Sequence, residues 1–232
     1  MKAFLRFLLG ILLLPLCWAL ARTFVCLVLM PTSNSLGFTA QGVSFCGGIA
    51  AFIFVWLALP RPMRTYVLGH ELTHALWGLL FGAVPSDIRV TPEGGSVKLT
   101  KTNVWITLAP YFFPFWSFVV ILVALVTLAF VRPLPWLPLW FFMIGFTWAF
   151  HVFFTLDSLT LHQPDIREYG CFFSWVFIFI ANFIIMLIWI CLVTDVTFVE
   201  TGSYLLGATV DAYLFIAGAL LQGIKGIWGL FK

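Results

Sequence analysis

The sequence predicts an all-α polytopic membrane protein of about six or seven transmembrane helices, with a short β-hairpin after the helix that carries an H-E-x-x-H motif. Three observations lead there. Of the 232 residues, 62% are hydrophobic and only 9% charged, and the mean hydropathy is +1.09, an apolar excess that no soluble domain buries in one core. A helix crossing the ~30 Å hydrocarbon layer needs about 20 mostly apolar residues, and runs of that size recur from end to end. One longer polar stretch, residues 84–104, breaks the pattern with strand-like alternation.

Seven segments qualify, near 3–30, 45–60, 65–83, 109–131, 136–158, 170–194 and 204–222. The first follows Lys2 and Arg6, and its Ala19-Leu20-Ala21 before Arg22 has the look of a signal-peptidase site. Its apolar run is longer than the roughly 7–15 residues of a signal core, so it is expected to stay as a membrane helix, with Arg22 snorkelling or facing a polar interior. After the third segment, "DIRV" and "SVKLT" alternate around "PEGG", which reads as a hairpin over 88–99 with Gly94 and Gly95 at the positive-φ turn positions. It is either an ordinary connection or an edge to which an extended peptide adds as a strand. In the second case Glu93, Gly94 and Gly95 are the candidate substrate-binding residues. "RPLPWLP", 132–138, is a proline-stiffened turn with no function assigned. Internal repeats and linkers are absent, so residues 1–232 count as a single domain.

The five cysteines at 17, 26, 46, 171 and 191 stand singly and are expected to be small buried hydrophobes. The net charge of +3 is scattered, which argues against nucleic acid and leaves the bilayer and membrane-associated proteins as partners. Lys2, Arg6, Arg61, Arg64 and Arg132 would share one side and favour a cytoplasmic N-terminus, against Arg89, Lys98, Lys101, Arg167, Lys225 and Lys232 on the other.

"GHELTHALWG", 69–78, places the chemistry. His70 and His74 are i and i+4, stacked on one helix face within reach of one ion, and Glu71 projects about 100° from His70, suited to hold a water without ligating the metal. With four His and four Glu among 232 residues, chance yields the three fixed letters about 0.001 times per chain. Polar side chains bridging helices are the plainer explanation, but a charge at mid-membrane costs about 2.5–3.5 kcal/mol and usually marks a functional interior. Gly69 and Gly78 would let neighbouring helices come close.

Catalytic zinc usually takes three protein ligands and keeps one position open. Position 80 is Leu, so no third histidine follows at H-x-x-G-x-x-H spacing. Glu93 has a usable spacing but sits in a turn-like "PEGG". The stretch "FTLDSLTLHQPDIREYG", 154–170, gathers Asp157, His162 and Asp165, although Asp165 after Pro164 also reads as a helix cap or first-turn residue.

"GHELTHALWGLLFG", then "IRVTPEGGSVKLTKTNVWITLAPYFFPFW", then a distant aspartate resembles the M50 (site-2 protease) family of intramembrane zinc metalloproteases, its M50B-like branch in particular, over roughly residues 65–175. The resemblance implies that His70, His74 and an aspartate bind Zn²⁺ and that Glu71 activates water. The L-D-G element of many relatives is missing. "LDS" offers Asp157 and "QPD" offers Asp165, of which the second is closer to what the M50B-like branch implies. No PDZ insertion is present. "LAPYFFP" stands where relatives often carry a small A-G-P start, so tight packing of the catalytic helices is not implied.

If all seven segments were plain crossings, His70 and Asp165 would lie toward opposite faces. His74 is already about 13 Å into its helix at 1.5 Å per residue, so either 156–168 dips back to meet it or one span is re-entrant. The expectation is an intramembrane zinc metalloprotease cutting membrane-associated substrates, in a bacterial inner membrane before a eukaryotic organelle. The alternative is a non-catalytic M50-like chaperone or regulator of membrane partners. A metal transporter is disfavoured, because the ligands form one set and not a path.

Overall fold

The computed structural model describes residues 1–29, 39–160 and 163–229. The elements run α1 (Lys2–Leu29), α2 (Ala40–Ala58), α3 (Met63–Leu80), β1 (Pro85–Thr91), β2 (Gly94–Leu99), α4 (Val104–Leu108) continued by a 3-10 turn (Ala109–Tyr111), α5 (Phe115–Phe130), α6 (Leu137–Thr160), α7 (Pro164–Glu168), α8 (Cys171–Val193) and α9 (Phe198–Gly229). The protein is therefore an all-α polytopic membrane protein with, among the described residues, one small antiparallel hairpin.

Among the described residues five helices, α1, α2, α6, α8 and α9, are long and apolar enough to cross a bilayer. A sixth span is obtained if α4 with its 3-10 turn and α5, which meet at 86°, count together. The two segments expected as plain crossings at 65–83 and 109–131 are the ones that differ. Arg64, His70, Glu71 and His74 dilute the apolar character of α3, and Pro110 and Pro114 interrupt the second run.

The chain gathers into two compact units, Met1–Gly37 with Trp175–Lys232, and Phe38–Ser174. In the first, Leu20, Leu27 and Leu187 form a buried cluster with Phe24 and Phe183 packed on it. Arg22 finds Asp211 of α9 at 3.0 Å, which gives its charge a partner within the apolar helix pair.

The second unit is organised by α2 against α6. A Cβ on Gly48 would overlap the carbonyl of Phe142, and one on Gly145 the carbonyl of Phe45, so two glycines let the backbones touch. Phe52 sits 1% exposed at the centre, with Phe146, Phe150 and Phe153 edge-on at 5.3, 5.8 and 5.7 Å. The hairpin turns at Pro92–Glu93, with Gly94 and Gly95 as the first residues of β2. Gly94 has φ 158°, and Gly95 is not in the positive-φ region. The reason for Gly95 is space: a Cβ there would stand 2.6 Å from Glu71 Cγ. Gly69 faces Trp116 of α5, whereas Gly78 faces Leu99 of β2 and not a helix. The cysteines are not core residues: Cys26, Cys46 and Cys171 are exposed, Cys17 and Cys191 half-buried, as apolar side chains on membrane helices can be when lipid is their neighbour.

Candidate metal centre

The i, i+4 spacing on α3 brings the rings of His70 and His74 to 4.9 Å between centroids, both little exposed. His74 is fixed first. Its Nδ1 lies 2.9 Å from the carbonyl oxygen of Ile106 in α4, an atom that can only accept, so Nδ1 carries the proton and Nε2 keeps its lone pair. That carbonyl is available because the residue four positions on, whose N–H would claim it in a continuing helix, is Pro110.

Asp165 arrives from α7. Gln163 is the N-cap and makes no side-chain cap bond, and Asp165 is in the first turn. Its carboxylate meets α3: Oδ2 is 3.3 Å from His70 Nε2 and 3.4 Å from His74 Nε2, and it accepts a hydrogen bond from the Tyr111 hydroxyl at 3.1 Å. One donor atom from each of the three residues lies within 4.8 Å of the others.

Two of the three separations match a tetrahedral zinc ion: bonds of about 2.0–2.1 Å place neighbouring ligand atoms about 3.3 Å apart, and the two nitrogen-to-carboxylate edges measure 3.3 and 3.4 Å, with all three ligand atoms within 4.8 Å of one another. The donor set, two imidazoles and one carboxylate, is one that catalytic zinc uses.

Glu71, 6% exposed, lines the same cavity of about 490 Å³ as the three donors. Glu93, Gly94 and Gly95 line it from the hairpin. The structure thus brings together His70, Glu71, His74, Asp165 and the three hairpin residues. It does not bring Asp157, which pairs with Arg61 at 2.9 Å. His162 lies outside the described residues.

Four further groups belong to the site. They are the Ile106 carbonyl, Tyr111 on Asp165, Tyr66 at 3.4 Å from His70 Nδ1, and Ser158 on the Tyr66 hydroxyl. Pro110 and the position of Tyr66 one turn before His70 were readable signals for two of them. Tyr111 and Ser158 come from the tertiary fold and left no mark in the sequence. No family model, curated protein or solved structure matches the chain.

Proposed function

We propose that this chain is an intramembrane zinc metalloprotease of the M50 (site-2 protease) type, hydrolysing peptide bonds of transmembrane or membrane-associated proteins. The observation that carries the reading is the meeting of Asp165 Oδ2 with His70 Nε2 and His74 Nε2 at 3.3 and 3.4 Å in a cavity that Glu71 also lines. His70, His74 and Asp165 would hold the ion. Bound there, zinc would acidify a water and polarise the scissile carbonyl.

The remaining steps fall to the chain. Glu71 accepts the proton of the attacking water and returns it to the departing amine. Its carboxyl is kept beside the hairpin by Gly95, which leaves no side chain in its way. The polypeptide to be cut must lie extended with its backbone exposed, and β2 borders the cavity with backbone groups suited to a sequence-tolerant hold. Tyr111 keeps Asp165 aimed at the two histidines.

The test is metal dependence of cleavage. Protein purified in detergent is mixed with single-span test proteins, and products are read by mass spectrometry before and after chelation. Cleavage that stops on chelation and returns with zinc supports the reading. Cleavage indifferent to chelation, or a zinc-loaded protein that cuts none of the test proteins, contradicts it.

A further inference from the structure

We propose that Tyr66 is a positioning residue for His70, its hydroxyl oxygen accepting the Nδ1 proton while its own proton goes to Ser158 Oγ. This rests on the zinc reading and adds to it the device that sets the tautomer of the first histidine.

A ligating imidazole offers one nitrogen to the ion and carries its proton on the other, and the acceptor for that proton fixes both tautomer and ring angle. For His74 the acceptor is the Ile106 carbonyl at 2.9 Å, which leaves no choice. For His70 the partner of Nδ1 is the Tyr66 hydroxyl at 3.4 Å, a contact at the long end of hydrogen-bond distances. A hydroxyl both donates and accepts, so Tyr66 alone would not decide the tautomer. Ser158 Oγ, in a side chain 3% exposed, is hydrogen-bonded to the same Tyr66 oxygen and can take its proton. The tyrosine oxygen is then left as an acceptor toward His70, and His70 Nε2 keeps its lone pair on the side of Asp165.

The surroundings hold this chain of donors in place. Tyr66 stacks on Phe154 with ring centroids 4.7 Å apart and planes at 13°, and Phe154 is 1% exposed. Tyr66 and His70 are one turn apart on α3, Phe154 and Ser158 one turn apart on α6. The two pairs interlock, so α6 grips the tyrosine by its ring and by its hydroxyl at once. Asp157, the neighbour of Ser158, pairs with Arg61 at 2.9 Å, between this end of α6 and the approach of α3.

The experiment measures zinc affinity by competition with a chromophoric chelator at one pH, together with the visible absorption of the cobalt(II)-loaded protein. Tyr66→Phe keeps the ring stack and should weaken zinc binding about 10- to 100-fold and shift the cobalt bands. Ser158→Ala should weaken it less, and should have no further effect in the Tyr66→Phe background, because it acts through the tyrosine. Zinc affinity unchanged by Tyr66→Phe, or independent additive losses in the double variant, would overturn the proposal. If Tyr66→Phe does not fold, Ser158→Ala decides alone, and an affinity equal to the parent's is again the contrary result. Parent protein that takes up no zinc overturns the metal reading and this inference with it. Parent protein that binds zinc but cuts nothing overturns the protease reading and leaves this one standing.

Discussion

His74 Nδ1 meets the Ile106 carbonyl at 2.9 Å, and the carbonyl is free for it because Pro110 has no N–H to offer four residues on. A proline whose usual effect is to stop a helix here leaves an acceptor for the His70, His74 and Asp165 cluster. Pro110→Ala restores a donor that competes for Ile106. Zinc affinity should fall by up to about tenfold with the fold retained, as measured by chelator competition beside a thermal melt. Unchanged affinity would mean that His74 is oriented by something else.

The third ligand is tested by a pair of aspartates. Asp165→Ala should strip zinc from the purified protein, measured as metal per chain, since two imidazoles remain to compete with buffer. Asp157→Ala removes only an ion pair with Arg61, half-exposed on the arginine side, worth about 0–1 kcal/mol, and should leave the metal content at the parental level. The opposite pattern would move the ligand to Asp157.

The helical membrane architecture and the facing of His70 and His74 on one helix were legible because both are local. Apolar runs announce spans, and i, i+4 histidines with an intervening glutamate announce their own geometry. Asp165 could be shortlisted but not separated from Asp157 by the residues alone, because that choice depends on tertiary contacts: Asp157 is taken by Arg61, and Asp165 meets His70, His74 and Tyr111. The glycine at position 95 is there for space and not for a turn. Its conformation is ordinary, and what forbids a side chain there is the Glu71 carboxyl arm from another element. Ser158 and Tyr111 were silent, since nothing local distinguishes a hydroxyl that meets a site from one that meets a backbone carbonyl.

Gly95→Ala follows from that crowding. Its Cβ would stand 2.6 Å from Glu71 Cγ and 2.7 Å from Val67 Cγ1, so either the hairpin lifts or Glu71 moves. The expected outcome is a loss of about 1–3 kcal/mol in stability, or cleavage reduced at least tenfold with zinc retained, read by thermal melting and turnover. A variant with parental melting and turnover would show that the hairpin is not pressed on Glu71.

The α2–α6 contact should be the least tolerant packing in its unit. Gly48→Leu drives a side chain into the Phe142 carbonyl and should destabilise by at least about 3 kcal/mol, the upper range for overpacking. The check is the melting temperature in detergent, with Gly202→Leu as reference, since nothing lies within 4 Å of a Cβ at Gly202.

The most direct measurement on the central claim is zinc content and cleavage in Glu71→Gln, read on the same sample. Glu71 is not among the three donor residues, and its replacement keeps the side-chain length while removing the proton acceptor. The account predicts zinc per chain equal to the parent and cleavage of the test proteins abolished. Full cleavage with zinc bound would contradict it.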